Sequence, residues 1–179
     1  MPEYLKPARI GQIAVLLIAL GAIAFTFSPP RGHVSSGVKT TASRKEMLDF
    51  TMPDLSGADW STSAHRGRVV LVNFWATWCP PCREEIPGFI RLAKSVPELD
   101  IVGVAMDEGD NGVIRQFAQS AGINYPVLLP PPSSPFVSTI ESLPISFLVD
   151  KQGKVARVYS GMVSEATVRE DFARLSTKP

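Results

Sequence analysis

The sequence predicts an α/β domain built around a mixed β-sheet, and three patterns support this prediction. Apolar segments typical of buried strands alternate with amphipathic helical segments between residues 68 and 122. Two further strand-like segments, 145–149 and 155–159, are separated by a short turn, as in an antiparallel hairpin. A last amphipathic helical pattern closes the chain. The strand–helix–strand–helix order implies parallel crossover connections, to which the hairpin adds antiparallel strands.

The composition fits one globular domain with an N-terminal extension. The chain has 179 residues, of which 45% are hydrophobic, and this is enough for a full core. It carries 18 basic and 17 acidic side chains. Because no excess of positive charge is present, we expect no nucleic-acid partner.

Residues 1–27 are predicted to form a membrane anchor. Residues 10–27 carry no charge and follow Lys6 and Arg9; as a helix they would extend about 27 Å, close to the hydrocarbon thickness of a bilayer. The alternative is a cleaved signal peptide, since Ala-Ile-Ala at 22–24 has the form of a cleavage site. The uncleaved anchor is favoured because apolar residues continue to Phe27. Basic residues lie on both sides, so we infer export of the domain from the basic head before the apolar segment.

Residues 28–46 are predicted to be a flexible tether and residues 47–179 the folded domain, because Pro, Gly, Ser, Thr and Lys dominate the first segment. In the domain, Leu48, Phe50 and Met52 alternate as one face of a short edge strand. The next predicted elements are strand 68–75, helix 80–94 with a kink at Pro87, strand 100–105 and a helix ending at Gly122. They are followed by a short strand at 125–129, an exposed proline loop at 130–135 and the hairpin. The closing helix is predicted to be capped by Ser164 and to bury Val168, Phe172 and Leu175.

The central strand 68–75 leads into the only two cysteines of the chain, Cys79 and Cys82. A single C-x-x-C pair between a strand and a helix indicates a redox-active dithiol. Cys79 would lie at the helix N-terminus, where free N–H groups and the helix dipole favour a thiolate, so it is the predicted nucleophile. Cys82, one turn inside the helix, would resolve the mixed disulfide with a partner and leave the Cys79–Cys82 disulfide.

Two other interpretations of these cysteines are an inert local disulfide and half of a metal site. Structural zinc needs four ligands, and only His33 and His65 remain, neither at ligand spacing. We therefore predict no metal centre and no cofactor. Two thiolates do suit Cu(I), so the alternative function is a Cu(I) carrier or a binding module with a structural disulfide.

Residues 72–87, VNFWATWCPPCREEIP, resemble the signature of the thioredoxin superfamily in its TlpA/ResA branch of membrane-anchored thiol-disulfide interchange proteins. The resemblance extends from about Phe50 to the C-terminus. It implies a thioredoxin-like fold and protein thiol-disulfide oxidoreductase activity, with the N-terminal helix crossing the inner membrane once and the domain facing the periplasm or the cell exterior. It also implies reduction of selected protein disulfides, of the apocytochrome c or copper-site kind, and re-reduction by a membrane dithiol donor.

By the same resemblance, Pro144 matches the cis-proline that faces the dithiol, and Leu143 would offer backbone to an extended partner chain. A trans proline opening an edge strand is the alternative that the local sequence alone favours. Ile145 replaces the threonine common after this proline, a change that should affect packing more than chemistry. Trp78 and Pro80 complete the predicted substrate-binding surface.

Glu85 resembles the glutamate that this branch places near its dithiol. It lies three residues beyond Cys82, on the same side of the helix, where it could accept a proton from Cys82. The alternative is a solvated surface acid, as expected for Glu84. Asn73 occupies the position of a buried aspartate in ordinary thioredoxins, which makes Glu85 the better candidate for proton transfer.

Two further features are predicted to affect partner contact. Trp75 and Trp78 would shield the sulfurs and present an apolar surface, with core packing as the alternative for Trp75. The loop 130–139 is where the chain differs most from the family, and it is either a determinant of partner choice or a neutral insertion.

Overall fold

A computed structural model describes residues 43–177, and a six-stranded mixed β-sheet forms the centre of this part. The strands are β1 Lys45–Glu46, β2 Thr51–Pro53, β3 Asp59–Ser61, β4 Val69–Trp75, β5 Leu99–Ala105, β6 Val127–Leu128, β7 Ile145–Val149 and β8 Lys154–Ser160. The α-helices are α1 Pro80–Ser95, α2 Asn111–Ala121, α3 Pro135–Thr139 and α4 Glu165–Ser176, with a short 3-10 helix at Ser63–His65.

The sheet has the order β1-β8-β7-β4-β5-β6, with β4 near its centre. Strands β4, β5 and β6 are parallel, whereas β7 is antiparallel to β4 and β8 is antiparallel to β7. The predicted mixed sheet, crossover helices and hairpin are thus confirmed. All seven residues of β4 are buried, as expected for a central strand covered on both faces.

The two faces of β4 pack against different elements. Val69 and Leu71 belong to an apolar cluster with residues of α1 and α4. Val70, Val72 and Phe74 belong to a second cluster, which contains Met52 and Trp60 of the β2–β3 hairpin. Because side chains alternate along a strand, Asn73 projects to the α1 side.

The N-terminal part of the domain differs from the predicted edge strand. Leu48 is 56% exposed, whereas Met47 is buried. Regular strand pairing is interrupted between β1 and β2: the Met47 N–H donates to the Gly153 carbonyl, and strand pairing resumes at Thr51. The β3 strand, which places Trp60 in the core, was not predicted.

Residues that the sequence assigns to the end of the tether also contact the sheet. Lys45 and Glu46 pair with β8. The guanidinium of Arg44 lies 2.7 Å from the Asp150 carboxylate, and both side chains are nearly inaccessible to solvent.

The predicted exposed proline loop is shorter than expected. Ser134 is buried, and Pro135 begins the short helix α3. Proline is compatible with a first helical position because the N–H of that residue has no partner within the helix.

Both predicted helix ends are confirmed. Gly122 ends α2 in the left-handed conformation, with φ of 68°, which glycine adopts without strain. The Ser164 hydroxyl caps α4 by accepting a hydrogen bond from the Thr167 N–H at 3.1 Å.

A buried polar group that the sequence did not indicate joins β8 to α4. The Arg157 guanidinium lies 3.1 Å from the Asp171 carboxylate, and the Tyr159 hydroxyl donates to the same carboxylate at 2.9 Å. Arg157 and Asp171 are both buried, so this charged pair is part of the interior.

The predicted membrane anchor and residues 28–42 of the predicted tether lie outside the described residues. Within residues 43–177, no helix has both the length and the apolar composition needed to cross a membrane.

Candidate active site

Cys79 and Cys82 form a disulfide at the start of α1. Cys79 is the N-cap residue, and Pro80 and Pro81 occupy the first two helical positions. Because neither proline carries an N–H, the first donor of the helix is the Cys82 N–H, which lies 3.3 Å from the Cys79 sulfur. A free helix donor directed at this sulfur, together with the helix dipole, favours the thiolate form of Cys79 after reduction.

The site lies at one edge of the sheet. The parallel strand β4 ends at Trp75, four residues before Cys79, and β7 begins beside that end because Ile145 pairs with Phe74. The Leu143–Pro144 peptide bond, immediately before β7, is cis, as predicted. Leu143 packs against the apolar cluster that contains both cysteines. The topology therefore brings the cis-proline segment and the disulfide to the same edge.

Glu85 is a buried carboxylate behind the disulfide. Its residue is only 4% exposed, and it lies one turn beyond Cys82 on α1. Its Oε1 accepts a hydrogen bond from the Asn73 Nδ2 at 2.7 Å, and its Oε2 accepts one from the Val163 N–H at 3.1 Å. Burial raises the pKa of Glu85 to about 7, and the two hydrogen bonds offset part of this rise. A carboxyl that titrates near neutrality can both accept and return a proton.

This geometry agrees with the relationships of the sequence. The profile of the AhpC/TSA family matches residues 44–173. The chain belongs to the AhpC/TSA family. It is 28% identical to the thiol-disulfide oxidoreductase ResA of Bacillus subtilis over 164 residues, which span 90% of this chain and 88% of that protein. It is 30% identical to ResA of Geobacillus kaustophilus over 169 residues, 91% of each chain.

A solved structure shares the same fold. The thiol:disulfide interchange protein of the thioredoxin family from Chlorobium tepidum is 27% identical, with a TM-score of 0.66, and the match covers 76% of this chain and 99% of that one. The protein is therefore a thiol-disulfide oxidoreductase of the ResA type with a thioredoxin-like α/β fold.

In this ResA-type oxidoreductase, Asn73 is part of the carboxylate site rather than a mere replacement for an acid. Its Nδ2 donates to Glu85 and also to the Ser146 hydroxyl, at 3.0 Å, and all three residues are buried. Ser146 is the neighbour of Asn73 on β7. The amide of Asn73 thus connects the carboxylate on α1 with the strand that follows the cis-proline.

The two tryptophans beside the dithiol have different environments. Trp75 is fully buried and packs against Phe117, with ring centroids 5.4 Å apart, so the core-packing alternative describes it. Gly103 makes room for its indole: a Cβ at this position would lie 2.7 Å from the indole nitrogen. Trp78 is 67% exposed and remains available for partner contact.

Within residues 43–177, no group of three or more His, Cys, Asp or Glu side chains could hold a metal ion. His65 instead lies 2.7 Å from the Asp100 carboxylate and stacks on Trp60. His33 lies outside the described residues.

Three participants of the Glu85 site were not predicted. Ser146 and the backbone of Val163 contact Asn73 and Glu85 directly, and the pKa of Tyr125 is raised by burial and, to a lesser extent, by the charge of Glu85. A polar Ser146 in an otherwise apolar strand was a usable signal. A backbone N–H such as that of Val163 leaves no signal in the sequence, because every residue except proline has one.

Proposed function

We propose that this protein is an exported, membrane-tethered oxidoreductase whose Cys79–Cys82 pair reduces disulfides of selected partner proteins. The observation that carries the proposal is the position of the pair. Cys79 is the N-cap of α1, and its sulfur accepts a hydrogen bond from the Cys82 N–H, the first backbone donor of that helix. The second support is the cis Leu143–Pro144 bond at the same edge of the sheet.

The proposed reaction has two exchange steps. The Cys79 thiolate attacks one sulfur of the partner disulfide, which forms a mixed disulfide and releases one partner thiolate. The Cys82 thiolate then attacks the Cys79 sulfur, which releases the second partner thiolate. The partner gains two electrons, and the protein ends with the Cys79–Cys82 disulfide observed here.

Glu85 is proposed to accept the proton of the Cys82 thiol before the second step. It lies on the same side of α1 as Cys82, and its pKa of about 7 lets it accept this proton at neutral pH. The hydrogen bonds from Asn73 and Val163 hold the carboxylate in place.

The proposed contact surface for the partner consists of Trp78, Pro80, Leu143 and Pro144. Trp78 and Pro80 are exposed beside the disulfide. The backbone N–H and carbonyl of Leu143 make no hydrogen bond within residues 43–177. An extended partner segment that pairs with this backbone would place its disulfide beside Cys79.

The proposed location follows from the N-terminal sequence. A single anchor at 1–27 would hold the domain at the inner membrane, facing the periplasm or the cell exterior. There, a membrane dithiol donor would re-reduce the protein, and the proposed substrates are disulfides of apocytochrome c or of copper-site proteins.

A trapping experiment tests this proposal. In a Cys82→Ser variant of the full chain, the mixed disulfide cannot be resolved, so a Cys79-linked partner should accumulate and be identifiable by mass spectrometry after non-reducing electrophoresis. The Cys79→Ser/Cys82→Ser double variant is the control and should trap nothing. Failure of the single variant to trap any protein would contradict a protein-disulfide substrate. Stoichiometric Cu(I) binding that is lost in Cys79→Ser would favour the carrier instead.

A further inference from the structure

A cleft of about 920 Å³ lies beside Trp78, the residue that precedes Cys79, and is here called the Trp78 cleft. Pro53 of β2 contributes to its lining. Most of the lining comes from Trp78, residues 106–109 and 111 after β5, residues 129–132 after β6, and the segment 140–143 before the cis-proline. Strands β4, β5 and β6 are parallel and β7 is antiparallel to β4, so all of these segments meet at the edge of the sheet that holds the cysteines.

Part of the lining of the Trp78 cleft is apolar. Met106, Leu129, Ile140 and Leu143 line it. The three consecutive prolines at 130–132 add ring carbons and contribute no backbone N–H donor. A cleft of this kind favours binding of an apolar side chain. The proline backbone of the cleft offers few N–H donors to an anionic side chain.

The charge of the Trp78 cleft has one sign. Asp107, Glu108 and Glu141 line it, and no Lys, Arg or His among residues 43–177 does so. The whole chain is nearly neutral, with 18 basic and 17 acidic side chains, so this acidity is local. Glu108 and Glu141 are exposed, and neither has an ion-pair partner within the described part of the chain.

Asp107 couples this surface to the active site. Its carboxylate accepts hydrogen bonds from the Thr77 N–H, at 3.0 and 3.1 Å, and from the Thr77 hydroxyl. Thr77 lies two residues before Cys79. A segment bound in the Trp78 cleft would therefore lie against the same loop that positions the attacking sulfur.

We propose that the Trp78 cleft binds an extended substrate segment in which apolar residues are flanked by Lys or Arg near the disulfide that is reduced. This inference rests on the proposed function and specifies its substrate class. Charge complementarity with Glu108 and Glu141 selects the cationic flank, and the apolar lining residues contact the neighbouring side chain. The proline segment then acts as a specificity element rather than a neutral insertion.

A binding experiment with the oxidised full-length protein tests the inference without electron transfer. Two linear peptides share an apolar centre and carry Ser in place of Cys, with two Lys in one and two Glu in the other. The fluorescence of exposed Trp78 reports binding. At low salt, the Lys peptide should bind about tenfold more tightly than the Glu peptide, and added salt should reduce this ratio.

Two double variants with the same change in net charge locate the effect. Glu108→Gln/Glu141→Gln should lower the ratio to about twofold, because both exposed charges of the cleft are lost. Glu98→Gln/Glu170→Gln, at exposed positions outside the cleft, should keep the wild-type ratio. Equal binding of the two peptides by the wild type, or equal loss in both variants, would overturn the inference. Charge-selective binding combined with no trapping by Cys82→Ser would instead contradict the proposed function alone.

Discussion

Replacing Glu85 with Gln is expected to remove one component of the pH dependence of stability. In the folded protein the pKa of Glu85 is about 7, against an ordinary value of 4.5, because the side chain is buried. The folded state therefore binds this proton more tightly than the unfolded chain does. The resulting stabilisation is fully present below pH 4.5 and is lost as the pH rises to 7 and above.

The expected size of the effect follows from the same two values. A rise in pKa from 4.5 to about 7 corresponds to roughly 3 kcal/mol in the free energy of unfolding across this window. At 4% exposure, the carboxylate is too well buried for solvent screening to reduce the figure much. The amide side chain of the Glu85→Gln variant has a single carbonyl oxygen for the two donors that face it, but this mismatch shifts stability equally at every pH.

The assay is urea denaturation of the oxidised protein at several pH values from 4 to 8. The disulfide removes the cysteines from the titration in every sample. The difference in stability between the wild type and Glu85→Gln should change by roughly 3 kcal/mol over this range, with the wild type losing stability as the pH rises. Glu84→Gln, at an exposed position on the same helix, should follow the wild type. Parallel curves for the wild type and Glu85→Gln would refute the argument.

Three other substitutions test the Glu85 site and the packing of the interior. Asn73→Ala removes a hydrogen bond to the Glu85 carboxylate, so the pKa of Glu85 should rise further and the loss of stability should extend to higher pH in the same assay; an unchanged profile would contradict the contact. Gly103→Ala places a methyl group against a buried indole and should destabilise the protein by about 1–3 kcal/mol in urea; a neutral effect would contradict the close packing. Asp171→Ala leaves the Arg157 guanidinium buried without its carboxylate and should cost about 3 kcal/mol at pH 7, whereas a loss below 1 kcal/mol would show that the pair is solvated.

The elements with strong periodicity were predictable from the sequence. Strand β4 is apolar except for Asn73, and the helix ends at Gly122 and Ser164 carry their own local signals. Each of these depends on neighbouring residues in the chain, so no tertiary information was needed. The Cys79–Cys82 pair belongs to the same class, since its spacing on a helix fixes its geometry.

Other features depend on contacts between distant segments, and the sequence did not indicate them. The burial of Met47 rather than Leu48 follows from the hydrogen bond of the Met47 N–H to the Gly153 carbonyl and from packing of the Met47 side chain in the core. The role of Asn73 was also only half predicted. The sequence identifies this position only as one that lacks an acid, whereas the bond to Glu85 requires α1 to pack on β4 at the correct register.

The Trp78 cleft illustrates the same limit. Apart from Pro53, its residues come from four segments that are far apart in the sequence and meet because four strand ends share one edge of the sheet. The sequence identified the unusual proline segment but gave no means to assign acidic residues such as Glu108 and Glu141 to the surface beside it.

A redox titration of the full-length protein tests the central claim most directly. The protein is equilibrated with thiol buffers of known potential, and its free thiols are counted after alkylation. We expect one reversible two-electron transition between about −120 and −270 mV, with a tenfold change in the ratio of oxidised to reduced protein for about every 30 mV. Cys79→Ser should abolish the transition. A Cys79–Cys82 pair that shows no reversible transition in this range would contradict its assignment as the redox-active centre.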